Sequence, residues 1–140
     1  MDKAIVYTII IIIIAGVVFW GFQSGFLGNI FSGPVTNIPV PDGILLFFGA
    51  DCPHCKLVED FIKANSIDQK VVFDNLEVPF NGKTSQQLQD NAALAIQLAK
   101  GCKLNVINGI SIPFLYDGKG QCILGDEPVI NFFKNAAGIK

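Results

Sequence analysis

The sequence predicts a layered α/β domain carried behind one N-terminal transmembrane helix. Three observations predict it. The block "AIVYTIIIIIIAGVVFWGF", Ala4 to Phe22, is uncharged throughout. After it, short apolar runs alternate with amphipathic stretches in the order β-α-β-α-β-β-α. A length of 140 residues leaves room for one compact domain plus an appendage.

As a helix, the apolar block would extend roughly 28 Å, enough to span a bilayer. Six consecutive isoleucines with no polar face do not suit a core helix of so small a domain. The block is also longer than the apolar core of a cleaved signal peptide, and Trp20 and Phe22 sit where an interfacial aromatic belt would lie. Residues 1–25 therefore read as an uncleaved anchor. Lys3 precedes the block and the next basic residue is Lys56, so the positive-inside rule puts the N-terminus in the cytoplasm and the rest outside. Four cysteines in the exported portion agree with an oxidising compartment.

Residues 26–42 mix Gly, Pro, Ser and Asn with scattered hydrophobics and read as a linker, leaving 43–140 as the working domain. "GILLFFGA", Gly43 to Ala50, has the pattern of a strand buried on both faces. From Pro53 to Asn65 a helix is predicted, with Leu57, Val58, Phe61 and Ile62 on its apolar stripe and Pro53 in the first turn, where a missing N–H costs nothing. "KVVFDNLEV", Lys70 to Val78, is the next strand, ended by Pro79 and Asn81-Gly82. Thr84 to Lys100 is the clearest helix: Thr84 and Gln87 have capping-box spacing, Leu88, Ala92, Ala95 and Ala99 share a stripe, and Gly101 serves as the C-terminal cap. "SIPFLYDGKGQCIL" reads as a hairpin with strands Ile112 to Tyr116 and Gln121 to Leu124. A last helix, Glu127 to Asn135, is capped by Asp126.

Composition narrows the function. The chain has no arginine and no long basic run, so nothing suggests recognition of nucleic acid. The chemistry-bearing stretch is Cys52-Pro53-His54-Cys55, placed where the first strand hands over to the first helix. A thiolate, not a thiol, attacks a disulfide. At a helix start Cys52 would meet unpaired backbone N–H groups and the positive end of the macrodipole, both of which favour the anion. His54 would add to that as a cation or donor. Cys55, one turn on and more buried, suits the resolving thiol. Two blander readings stand beside this one. A zinc ribbon would need a second Cys or Cys/His pair at close spacing, which Cys102 and Cys122 do not supply. A purely structural Cys52–Cys55 bridge would close a very short loop and gain little.

The strand–helix order and the placement of the two cysteines resemble the thioredoxin superfamily over Gly43 to Ala137, nearest its minimal glutaredoxin-like or thioredoxin-like core. The resemblance implies a central mixed sheet flanked by helices. The Pro-His dipeptide looks like that of DsbA-type thiol oxidases, and it implies a thiol-disulfide oxidoreductase, oxidase or isomerase in preference to reductase. In that reading Cys52 and Cys55 form the redox-active disulfide, His54 tunes the thiolate, and Pro53, Ile112 and Pro113 meet the substrate. Pro113 stands where the family has a cis-proline opening the third strand, and the Ile112 backbone beside it would guide an extended substrate chain. Two departures from the family pattern stand out. Leu46 occupies the position of its buried acid, and Asp51 replaces the residue, often aromatic, before the first cysteine; its charge would disfavour the Cys52 thiolate. Gly125-Asp126 is similar to the glutaredoxin turn that binds glutathione.

Cys102 and Cys122 admit three readings: a structural disulfide, two unpaired core cysteines, or a second redox pair feeding the first. No cofactor and no metal are expected. The expected partners are protein thiols and disulfides, the bilayer through residues 4–22 and, if the protein is an oxidant, an integral-membrane quinone-linked redox partner. The reading from another class is a tethered module that captures peptides or metal without turnover.

Overall fold

The computed structural model describes residues 39–139 together with Tyr7, Ile12 and Ile13, which are helical and exposed. The chain divides into two units, Met1–Asn37 and Ile38–Lys140, and all elements below belong to the second. Among the described residues no helix is long and apolar enough to cross a membrane. The anchor expected over Ala4 to Phe22 lies outside them, apart from the three residues named, as does most of the expected linker.

The elements are β1 (Ile44–Phe48), α1 (Pro53–Ala64), a 3₁₀ turn (Ile67–Gln69), β2 (Phe73–Glu77), α2 (Gln86–Gly101), β3 (Phe114–Tyr116), β4 (Cys122–Leu124) and α3 (Asp126–Ala136). The four strands form one mixed sheet in the order β2-β1-β3-β4. β1 runs parallel to β2 and antiparallel to β3, and β3 pairs antiparallel with β4. The fold is thus an α/β sheet flanked by helices.

β1 is central because both of its faces are apolar. Leu45 and Phe47 point to one side, into a cluster with Val78, Leu94, Ala95, Leu98, Ala99 and Phe114. Leu46 points to the other, into a cluster with Val58, Ile62, Ile67, Val71, Leu115, Val129 and Phe133. Alternation along one strand therefore assigns α2 to one face and α1 with α3 to the other. Phe47 stacks on Phe114 at a centroid separation of 5.4 Å, joining β1 to β3 inside the first cluster.

Several predicted boundaries shift for local reasons. α2 is capped by Ser85, whose side chain accepts from the Leu88 N–H at 3.2 Å, and Thr84 lies one residue outside. Its buried stripe takes in Leu94 and Leu98, Leu88 is only partly buried, and Gly101 is the last helical residue before Cys102 as C-cap. At α3 the cap position is Gly125, with φ of 90°, a conformation glycine adopts without a Cβ penalty. Asp126 is the first helical residue instead of the cap. The second strand begins at Phe73, because Ile67–Gln69 closes a 3₁₀ turn whose Ile67 and the following Val71 fill the core.

Candidate functional site

The site forms where β1 ends. The Cys52 N–H donates to the Gly49 carbonyl at 3.3 Å, which folds the chain back after Phe48. Asp51 adopts a left-handed conformation with φ of 62°, tolerable for an aspartate. Cys52 then sits in extended geometry as the N-cap of α1, and Pro53 opens the helix. The cap is made by sulfur: Cys52 Sγ accepts from the Cys55 N–H at 3.3 Å. An anion at that position is favoured by the donor and by the end of the helix dipole.

Cys52 and Cys55 are free thiols, 5% and 6% exposed. Their surroundings differ. Burial pushes the Cys55 thiol up to about 12, with the hydrogen bond to Cys52 as the next cause. Cys55 therefore keeps its proton across the neutral range, while Cys52 holds the position that receives an N–H.

Two pairs of charges frame the motif. The His54 Nδ1 donates to Asp126 Oδ2 at 3.0 Å, tying the start of α1 to the start of α3. The imidazole holds the Asp126 carboxyl below its usual range, aided by the Glu127 backbone N–H. Asp51 Oδ2 accepts from Lys83 Nζ at 2.9 Å, and that bond raises the Lys83 ammonium above its usual value. Both pairs are solvent-exposed enough to be screened by salt.

A cleft of about 710 Å³ opens beside the motif on the α1 face of the sheet. Cys52, Pro53 and Cys55 line it together with Leu46, Phe48 and Phe73. Its size is that of a typical ligand pocket. His54 is not among its lining residues and is turned toward Asp126. Ile112 and Pro113 precede β3, the strand beside β1, and neither lines this cleft. The Ile112–Pro113 peptide bond is cis, Pro113 is fully buried, and its carbonyl accepts from the Gly125 N–H at 2.9 Å. Ile112 lines a smaller apolar cavity of about 240 Å³ on the α2 face. It packs on Gly49, three residues before Cys52: a Cβ there would lie 2.7 Å from Ile112 Cδ1 and 2.7 Å from Phe80 Cβ. Gly49 is therefore required by close packing, which sequence pattern alone does not reveal.

Cys102 and Cys122 are bridged, with an S–S distance of 1.99 Å across 20 residues. The bridge joins the C-cap of α2 to the first residue of β4. Cys122 pairs with Tyr116, which pairs with Leu45 near the start of β1, so the bridge lies at the end of the sheet opposite Cys52. That separation gives the second-redox-pair reading no geometric support. Among the described residues no group of three or more His, Cys, Asp and Glu side chains is arranged to hold a metal ion.

Phe80 and Lys83 were not among the residues the sequence singled out. The usable signal was the Asn81-Gly82 turn, but nothing in the sequence pairs Lys83 with Asp51, 32 residues away. Compared with known proteins, the chain matches no protein family, no curated protein and no solved structure.

Proposed function

We propose that the protein is a thioredoxin-like thiol-disulfide oxidoreductase, anchored to the membrane by residues 4–22, whose working couple is Cys52 and Cys55. The observation that carries this reading is the asymmetry of the pair: Cys52 caps a helix and accepts an N–H, while Cys55 beside it is pushed up to about 12. One sulfur is disposed to exchange and the other to hold a proton.

In an oxidising turnover a substrate thiolate attacks Cys52 Sγ of the Cys52–Cys55 disulfide. The S–S bond breaks, Cys55 leaves as thiolate and takes a proton. The substrate's second thiol, on losing its proton, attacks its own sulfur in the mixed disulfide and releases Cys52. The substrate has lost two electrons, now held by the Cys52/Cys55 dithiol, and the couple is regenerated by an oxidant, for which an integral-membrane quinone-linked protein is the proposed class. At pH 7 a thiol with a value of about 12 is ionised in only about one molecule in 10⁵. Cys55 must therefore give up its proton as it attacks a mixed disulfide, and the preference for oxidase or isomerase over reductase rests on the Pro-His dipeptide of the motif. The Cys102–Cys122 bridge supports an extracytoplasmic location for the domain, because such bonds persist in oxidising compartments.

Trapping tests the assignment. Cys55→Ser is expected to accumulate mixed disulfides with disulfide-bonded protein substrates, its Cys52 thiolate attacking the substrate S–S bond and releasing the substrate's other sulfur as a thiol, and Cys52→Ser to accumulate none. Equal behaviour of the two variants would remove the enzymatic reading and leave a binding module. The reduction potential of the couple tests the direction: a value near −270 mV, that of thioredoxin, would overturn the preference for oxidase.

A further inference from the structure

We propose that Lys83 is a positioning residue for the Cys52 thiolate, carried to the site by the Phe80–Lys83 turn to neutralise the carboxylate of Asp51, the residue before Cys52. The inference rests on the redox reading of Cys52 and deepens it.

The turn is a built feature. Asn81 and Gly82 have φ of 51° and 77°, two left-handed residues in succession, as a tight primed hairpin turn requires. The Lys83 N–H closes the turn on the Phe80 carbonyl at 3.1 Å, and the two residues form an isolated bridge. Phe80 docks this turn on the chain just before the motif, packed so closely on Gly49 that a methyl group there would collide with it. The packed aromatic and the closed turn together fix where Lys83 begins, and its ammonium reaches Asp51 at 2.9 Å.

The charges on α1 nearest Cys52 are already engaged. On α1, His54 is bonded to Asp126 of α3, and Lys56 is bonded to Asp60 at 2.9 Å. Of the acidic groups farther along the cleft, Glu59 is paired with Lys63, and Asp68 belongs to the 3₁₀ turn across from the motif. Cys55 stays protonated. Asp51 is the carboxylate adjacent to Cys52 in the chain, and Lys83 is its partner. A carboxylate on the preceding residue, lining the same cleft as Cys52, opposes formation of a thiolate there, and a cation bonded to it cancels most of that opposition.

The test uses the full chain with Cys52 and Cys55 reduced, and reads two quantities at low salt: the rate of Cys52 alkylation by iodoacetamide at neutral pH and the equilibrium constant for reduction of the couple by glutathione. Lys83→Met is expected to lower each about threefold, the scale of an exposed charge pair. Lys83→Arg restores both. In an Asp51→Asn background Lys83→Met has no effect, and in 1 M salt, where the screening length is about 3 Å, the loss shrinks toward nothing. An equal loss in the Asp51→Asn background or in 1 M salt would overturn the proposal, because it would mark a structural role, and so would the absence of any loss at low salt. Alkylation requires no turnover, so the two readings fail separately. Failure of Cys55→Ser to trap substrates, with the Lys83 effect intact, removes the redox function alone; normal trapping with no Lys83 effect removes only this inference.

Discussion

Replacing Cys52 with alanine isolates the buried thiol one helical turn away and lets its surroundings be read directly. The ordinary value for a thiol is 9.0, and Cys55 stands at about 12, first because burial withdraws water from the anion and second because of its bond with Cys52. The rise disfavours the thiolate by about 4 kcal/mol relative to water. At pH 8 an ordinary thiol is ionised in about one molecule in ten, and Cys55 in about one in 10⁴. In Cys52→Ala both contributions of Cys52 vanish while the lowering backbone hydrogen bonds and the burial remain, so the midpoint falls below 12, and burial, the largest cause, keeps it above 9.0. With Cys102 and Cys122 bridged, Cys55 is then the sole free thiol, and its alkylation can be followed by mass spectrometry at a series of pH values. The rate is expected to keep climbing tenfold per pH unit beyond pH 9 and to level only above it. Crowding around a thiol that is 6% exposed slows every point equally and does not move the levelling point. A rate that levels at or below pH 9 would refute the argument that burial dominates.

Three further outcomes follow from named contacts. Gly49→Ala places a Cβ 2.7 Å from both Phe80 and Ile112, so it should cost about 1–3 kcal/mol in urea unfolding and also diminish the effect of Lys83→Met by displacing the turn. Removing the bridge with Cys102→Ser and Cys122→Ser together opens a loop with a sequence separation of 20, which the chain-entropy relation values at about 3 kcal/mol; an unchanged denaturation midpoint would rule out a stapling role. The Asp126 carboxyl is held below its ordinary value of 3.8, chiefly by His54, so its favourable contribution is present above that pH and is lost as pH falls through the lower folded value. Asp126→Asn should therefore flatten the acid side of the thermal-stability profile, and an identical acid slope in both proteins would refute the coupling.

Residues whose roles are set locally were legible in the sequence, and those set by distant neighbours were not. The apolar run of β1, the cysteines at its helix junction and the hairpin before α3 each follow from composition over a few residues. Where two candidates stand side by side, pattern does not choose. Thr84 and Ser85 both carry a hydroxyl, and only the path of the chain gives the cap to Ser85. Gly125 outcompetes Asp126 as the cap because the backbone there needs a positive φ, a demand invisible in hydropathy. At the candidate site, the opposition between Asp51 and His54 was visible, yet each residue's partner lay beyond reading. Lys83 and Asp126 arrive from 32 and 72 positions away, brought by a packed turn and by the docking of α3. Leu46 is 4% exposed and serves the core of the α1 face.

The staple at the far end of the sheet also makes the chain self-accounting. Of four cysteines, two are locked in a bond, so an intact protein offers either two reactive sulfurs or none. A label that adds a fixed mass per thiol then reports the state of every molecule from a single spectrum. With the Cys102–Cys122 bridge intact, zero tags means that Cys52 and Cys55 are bridged and two means that they are free, whereas four means that both pairs have been reduced. Closure of the Cys52–Cys55 pair and reduction of both pairs would be told apart by mass alone, without any assay of substrate.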